Sequence, residues 1–334
     1  MNMRSVTRPD KDEVVVEHAA VATAHPLASE VGVEVLKQGG NAIDAAIAIG
    51  FCLNVIEPWN SSIAGHGQMI VYASDKTKSL VLDYGHKAPL KATKDMFKIT
   101  GQSEKSVGTY DVEDNANSIG YRSVGVPGIT AGMCKAHDMF GTLPLKQLIE
   151  PAYHYAKNGF EADTMTCLMI AQTMSELDSY PETRKIFLPN GYPIKPGEQL
   201  VQTNLAETLR QIGKEGKEAL YEGDIAQAIH EDMKRNDGVL TSDDLAKFEV
   251  QVLEPARTLY RGYEILGSPV PCGGTTQRQI LTILENFDLS NLMHNSPEHL
   301  HLFIESARHA FADRYRFLGD PDFGPVPLLS LIHI

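Results

Sequence analysis

Between residues 27 and 56 the apolar positions change rhythm once, and the change predicts two consecutive helices. Leu27, Val31, Val35 and Leu36 keep to one helical face behind Pro26, which suits a first helical position because its missing N–H has no partner there. Gly39 and Gly40 supply the positive φ that ends helices. Asn41 is then placed as an N-cap, with Asp44 three residues on to meet the exposed N–H groups. From Ala42 to about Val55 the chain is apolar or small on nearly every side, which predicts a helix buried all round and closed by Pro58. The segment 60–67 carries Gly65 and Gly67 and favours a bend or a close backbone approach. Met69 to Tyr72 and Leu80 to Asp83 are short apolar runs around polar residues 74–78, the pattern of a hairpin.

The same reading continues down the chain. Residues 90–120 are polar and turn-rich and read as a surface excursion. Helical spacing recurs from Gly128 to about Met139, then over 145–158 (capped by Gly159), 164–177, 202–213, 219–236, 276–287 and 297–317. The last is amphipathic through Leu300, Phe303, Ile304, Ala307, Ala310 and Phe311. Thr241 is placed to cap a helix that begins with Asp243 and Asp244, and 248–253 and 260–266 alternate as strands do. The turn cluster PNGYPIKPG at 189–197 is the best candidate for a break between subregions. Helices outnumber strands, and strands stand towards both ends, which favours a layered α/β or α+β fold over a bundle.

Composition narrows the function classes. A net charge of −13 argues against nucleic acid as a partner. No apolar run is long enough to span a bilayer, and the N-terminus is charged where a signal peptide needs an apolar stretch, so no membrane partner and a cytoplasmic location are expected. The four cysteines, Cys52, Cys134, Cys167 and Cys272, have no C-x-x-C spacing, which points away from a zinc site and from a disulfide framework. No metal and no cofactor is expected.

Several stretches together are similar to one family. AHPLASEVGVEVLKQGGNAIDAAIAIGFCLNVIEPWNSSIAGHGQMIVY, from residue 24, resembles the start of the gamma-glutamyltransferase (glutathione hydrolase) family of N-terminal-nucleophile hydrolases. The likeness continues through Asp83 to Pro89, Gly125-Val126-Pro127-Gly128, and Gly238 to Leu245. It goes on through Tyr260-Arg261-Gly262-Tyr263, Ala312-Asp313-Arg314 and Leu318 to Phe323, in that order. The organisation it implies is a tail over 1–15, a large-subunit region over 16–327 and a tail over 328–334 that leaves the family pattern. The fold implied is a four-layer αββα sandwich, incomplete without a small-subunit segment of the same precursor.

The resemblance also implies chemistry. In the family a precursor cleaves itself, a threonine becomes the N-terminus of the small subunit, and its hydroxyl attacks an acyl carbonyl with its own amine as base. No threonine here takes that position, and Thr275-Thr276 lie in another motif, so the expectation is a large-subunit fragment that is inactive alone. The expected small-molecule substrate is a gamma-glutamyl amide such as glutathione. The family grips the glutamyl carboxylate with an arginine, whose planar fork matches a carboxylate. Gly85 stands in that place within Asp83-Tyr84-Gly85-His86-Lys87-Ala88-Pro89. His86, Lys87 and Arg122 are the candidate replacement cations. An acylase or amidase with a non-glutamyl substrate, and a non-catalytic product, are the competing readings. His66 as a base is the sharper reading of the 60–67 loop and packing the plainer one. Cys272, in Pro269 to Gly274, reads as a quiet loop thiol, Asp313-Arg314 as a structural ion pair, and Asp320-Pro321-Asp322 as a turn.

Overall fold

A computed structural model describes residues 14–73, 78–104 and 109–328. The tail up to residue 13, most of the first hairpin's turn and residues 329–334 lie outside the described residues. In chain order the elements begin with α1 (Pro26–Lys37), α2 (Ala42–Ile56), β1 (Gly67–Ala73), β2 (Lys78–Tyr84), β3 (Ile99–Gln102) and β4 (Tyr110–Val112). They continue with α3 (Ile129–Phe140), α4 (Leu145–Asn158), β5 (Phe160–Glu161), α5 (Thr164–Gln172), α6 (Met174–Asp178) and α7 (Pro181–Phe187). Next come β6 (Gln199–Leu200), α8 (Thr203–Glu215), α9 (Glu218–Tyr221), α10 (Asp224–Arg235) and α11 (Ser242–Ala246). The last are β7 (Gln251–Leu253), β8 (Ala256–Tyr260), β9 (Tyr263–Gly267), α12 (Gly274–Leu284) and α13 (Pro297–Phe317).

The chain forms two compact units, one of residues 1–67, 84–100 and 111–250, the other of 68–83, 101–110 and 251–334. In the first, α2 is the hub. Helices α1, α3 and α4 pack on it, and α8 packs on α4. Ile47, Phe51 and Ile56 of α2 meet no solvent, and neither does Leu148 of α4 or Leu209 and Ile212 of α8. Each such side chain contributes about 1.5–3 kcal/mol of burial. A capping box starts α2: the Asn41 side chain accepts from the Asp44 N–H, and Asp44 accepts from the Asn41 N–H. Asp44 also accepts from the Thr142 N–H at 3.0 Å and from the Thr142 hydroxyl, tying the α3–α4 turn to the start of α2. These bonds outweigh the burial that opposes ionisation and hold the Asp44 carboxyl below its ordinary value.

In the second unit β2 is central in a three-stranded sheet, β1-β2-β7, and pairs antiparallel with β7 through Val81↔Leu253, Leu82↔Val252 and Asp83↔Gln251. β8 and β9 form a hairpin against which α12 packs, and α13 packs on α12.

Several expectations change. Gly39 has φ +90, whereas Gly40 is not in that region and instead packs against Val35 and Leu143. The helix expected over 164–177 breaks at Thr173, whose hydroxyl bonds back to the Met169 carbonyl at 2.9 Å. That over 219–236 breaks at Gly223, which is extended. The strand expected over 260–266 is the tip of a hairpin, because Arg261 (φ 50) and Gly262 (φ 81) make a two-residue turn between Tyr260 and Tyr263. Residues 90–120 include the β3–β4 pair. The turn cluster at 189–197 lies inside the first unit and separates nothing. On α13 only Ser306 and Ala310 are buried, while Phe303 and Ile304 of its apolar stripe are 50% and 56% exposed.

Candidate functional site

Three loops of the first unit meet at the residues the sequence singled out. The loop before β1 contributes Gly65 to Gly67, the exit of β2 contributes Tyr84 to Lys87, and the approach to α3 contributes Gly125 to Gly128. The Gly65 carbonyl accepts from the N–H groups of Gly128 (2.9 Å) and Ile129 (3.0 Å), and the Thr130 hydroxyl donates to the Ile63 carbonyl at 2.8 Å. Val126 and Lys87 form an isolated antiparallel bridge, with the Val126 N–H donating to the Lys87 carbonyl at 2.9 Å. Buried Tyr221, on α9, donates its hydroxyl to the Pro127 carbonyl at 2.9 Å. Asp244 reaches from α11 to accept the Leu90 N–H at 2.6 Å. The 84–90 segment is thereby held on both sides.

Glycine makes this approach possible. A Cβ on Gly128 would lie 2.1 Å from the Tyr84 carbonyl oxygen, and one on Gly132 would lie 2.2 Å from the Tyr84 ring. One on Gly67 would meet the same ring at 2.8 Å. Tyr84 is buried in this cradle, and no sequence period marked it. Its signal was the set of glycines at the start of β1, before α3 and within α3.

Next to it stands a histidine pair. The His66 and His86 ring centroids are 3.9 Å apart, tilted by 37°. His86 Nδ1 lies 3.4 Å from the Val126 carbonyl, and Gly125 leaves room for the ring. Burial of part of the ring, then repulsion from His66, push His86 below the ordinary histidine value, against the opposing pull of the Val126 carbonyl. The lowered value favours the neutral His86 ring at neutral pH, and His86 gains positive charge on acidification. The outer faces of the pair are open to solvent.

The candidate residues separate accordingly. His86 and Lys87 lie on the stitched segment, and Lys87 has its backbone in the bridge and its side chain exposed. Arg122 is engaged elsewhere: its guanidinium donates to the Met96 carbonyl and lies 5.9 Å from the Phe97 ring centre. His66 is the added partner that spacing alone did not connect to His86. Gly85 follows Tyr84 directly and presents no side chain for a carboxylate.

In the second unit Cys272 precedes α12, and Gln68 Nε2 approaches its Sγ at 2.9 Å. Burial, then the charge of Asp83, push the thiol up, which suppresses the thiolate. Asp313 and Arg314 do not pair with each other as expected. Asp313 accepts from Gln279 Nε2 at 2.8 Å and Arg314 approaches the Thr276 hydroxyl at 3.5 Å, so both tie α13 to α12. Asp320 accepts from the Asp322 N–H at 2.9 Å and closes a turn. Among the described residues no three His, Cys, Asp or Glu side chains are grouped to hold a metal ion, and no helix is long and apolar enough to cross a membrane.

Residues 28–333 match the family model described as gamma-glutamyltranspeptidase. The chain is 39% identical over 321 residues to a glutathione hydrolase proenzyme of Pseudomonas sp. (strain A14), covering 96% of this chain and 54% of that protein. It is 38% identical over 324 residues to an acylase ACY 1 proenzyme of Pseudomonas sp. (strain V22), covering 97% and 58%. The chain thus spans little more than half the length of these relatives. The crystal structure of Helicobacter pylori gamma-glutamyltranspeptidase superposes with a TM-score of 0.89 at 37% identity, covering 97% of this chain and 90% of that one.

Proposed function

The chain belongs to the gamma-glutamyltranspeptidase family, with its mixed helix-and-sheet N-terminal-nucleophile hydrolase fold, and from that premise we propose that it is the large-subunit portion of an enzyme that hydrolyses or transfers gamma-glutamyl amides, glutathione among them. The observation that carries this reading is the stitched meeting of the 65–67, 84–87 and 125–128 loops, which places the segment expected to face the acyl group on a rigid support. The nucleophile in this reading is a threonine of the small-subunit segment of the precursor. Its hydroxyl forms the bond to the acyl carbon, its amine takes the hydroxyl proton and passes it to the amide nitrogen as the C–N bond breaks, and water or an acceptor amine then takes the acyl group from the threonine. Two observations support such a partner: the relatives are proenzymes of nearly twice the matched length, and the apolar stripe of α13 is uncovered among the described residues. The 334-residue chain alone is then inactive.

Within the site, the His66–His86 pair and Lys87 supply the positive charge for an acyl-group carboxylate, and Arg122 supplies structure. A second reading has its own support. Gly85 removes the expected carboxylate contact, His86 is held below its ordinary value and so favours its neutral ring near pH 7, and an acylase proenzyme is about as similar as a glutathione hydrolase proenzyme. Assays of the full-length protein on a gamma-glutamyl anilide and on an anilide with an uncharged acyl group decide between them. A higher kcat/KM for the glutamyl substrate is expected. A preference for the uncharged acyl group would transfer the assignment to the acylase reading, and turnover by the 334-residue chain alone would overturn the need for a second segment.

A further inference from the structure

Asp244 makes a bond that its own helix does not require. In α11 it completes the capping box, accepting on Oδ2 from the Thr241 N–H at 2.8 Å and from the Thr241 hydroxyl at 2.5 Å. Its other oxygen, Oδ1, takes the Leu90 N–H at 2.6 Å, at the far end of the segment that begins with Tyr84. Asp244 is 5% exposed, so its carboxylate is sequestered among these donors, and bonds to an ionised acceptor are short and strong. The Leu90 side chain is itself exposed, so the bond is no by-product of packing that side chain.

The bond closes a short tether. Tyr84 is held at one end in its glycine cradle, the Lys87 carbonyl is bridged to the Val126 N–H at 2.9 Å, and Leu90 is held at the other end by Asp244. Pro89 lies between the last two, buried, with a fixed φ, and it keeps Ala88 before it extended. A shift of the Leu90 nitrogen therefore passes back to Lys87 with little slack. Without Asp244, the exposed His86 and Lys87 lose the anchor on their C-terminal side.

We propose that Asp244 is a positioning residue for acyl-group recognition: through Leu90 it sets where residues 85–87 stand, and with them the discrimination between acyl groups. This role rests on the reading of His86 and Lys87 as acyl-facing side chains given above. Displacing a recognition group by about 1 Å costs up to about 100-fold, and loss of one anchor among several places the effect near tenfold. Asp244→Asn separates the two bonds that Asp244 makes. The Thr241 side presents two donors and the Leu90 side one, so the amide oxygen turns to Thr241 and the amide nitrogen faces the Leu90 N–H, donor against donor. The cap survives and the tether is broken.

The test compares full-length wild type, Asp244→Asn and Asp44→Asn on the gamma-glutamyl anilide and on the anilide with an uncharged acyl group. The ratio of the two kcat/KM values should shrink about tenfold in Asp244→Asn. The change should fall on KM of the preferred substrate, because contacts to a non-reacting group act on ground and transition state alike. Asp44→Asn disturbs the equivalent capping box of α2 and its bond to Thr142, so it should lower kcat for both substrates through loss of folded protein and leave the ratio unchanged. In the unmodified protein, hydrogen exchange at the Leu90 amide should be at least about tenfold slower than in an unprotected peptide. The wild-type ratio in Asp244→Asn, equal losses on both substrates, or unprotected exchange at Leu90 in wild type would each overturn the proposal. Wild-type preference for the uncharged acyl group would overturn the gamma-glutamyl reading instead, and the change of ratio in Asp244→Asn would still measure the tether. The exchange measurement uses the unmodified protein, so the result does not depend on whether a variant folds.

Discussion

Replacing Gly128 with alanine inserts one methyl group at the tightest point of the three-loop site. Its Cβ would lie 2.1 Å from the Tyr84 carbonyl oxygen and 3.2 Å from the Phe248 ring. A carbon normally approaches a carbonyl oxygen no closer than about 3.3 Å, so one backbone must retreat by about 1 Å. No rotamer change can relieve it, because the obstacle is main chain. Tyr84 ends β2, and its ring is confined by Gly67 and Gly132, so retreat on that side disturbs packing. Retreat on the other side stretches the Gly128 N–H bond to Gly65. Overpacking a well-filled interior costs about 1–3 kcal/mol, and an immovable neighbour places Gly128→Ala near the upper figure, at about 3 kcal/mol. Gly213→Ala is the matched control. It lies inside α8, where the added Cβ meets nothing nearer than 3.5 Å, and it should gain about 0.5–1 kcal/mol from helix propensity. Trp59 is the single tryptophan and lies in the same unit as both glycines, so its fluorescence in urea reports the stability of that unit. The midpoint should fall in the first variant and rise or hold in the second. Coincident midpoints for Gly128→Ala and wild type would refute the close-approach reasoning.

Asp44→Asn should cost about 3 kcal/mol, because the backbone and hydroxyl donors around the buried carboxylate lose their charged acceptor. The Asp44 carboxyl lies below its ordinary value in the folded chain, so its contribution is present above the unfolded value and is lost as pH falls through the folded one. The urea-midpoint gap between wild type and variant should therefore narrow below about pH 4, and a gap of constant size would contradict this. For His86 the lowered value is read through activity rather than stability. His86 is held below about 6.5 by burial and by His66, so acidification adds positive charge. The kcat/KM ratio for a carboxylate-bearing over an uncharged acyl substrate should rise below that pH and flatten in His86→Ala; a wild-type ratio indifferent to pH sinks the assignment. Burial pushes Cys52 and Cys134 up to about 12 and raises Cys167 and Cys272. Native protein at pH 8 should thus alkylate at each cysteine about tenfold more slowly than unfolded protein, and rapid, selective modification of Cys272 would show that its thiol is not quiet.

What was legible in the sequence was what neighbours in the chain decide. The bounds of α4 and α13 match the apolar spacing, and the Asn41–Asp44 and Thr241–Asp244 capping boxes follow from cap chemistry three residues apart. Errors arose where one residue outweighed a good pattern. Thr173 diverts a helix with its hydroxyl, Gly223 interrupts another, and Arg261 takes a positive φ that arginine rarely adopts, which concealed a hairpin inside an alternating run. The α13 stripe has the right period for a buried face, yet periodicity cannot say what covers it.

The site was legible only in part, for a different reason. Its pieces come from loops around residues 65, 85 and 126, and no local pattern couples them. Glycines at 67, 128 and 132 were visible, but their common object, Tyr84 (its ring for 67 and 132, its carbonyl for 128), appears only when these segments are brought together. The same holds for His86, whose electrostatics depend on His66, twenty residues earlier, and on the Val126 carbonyl. Arg122, the best carboxylate binder by residue type, is taken up by Met96 and Phe97. Residues that pack constrain one another through backbone contacts near the limit of approach, so substitution there is penalised whatever the substrate. A side chain facing the acyl group is under no such steric limit. Gly85, where the resemblance leads one to expect an arginine, can therefore vary while Tyr84, one residue before it, remains in its glycine cradle. On the proposed reading, the packing that marks the family and the preference for an acyl group fall to adjacent residues under different physical constraints, and the relative rates on charged and uncharged acyl groups measure the second independently of the first.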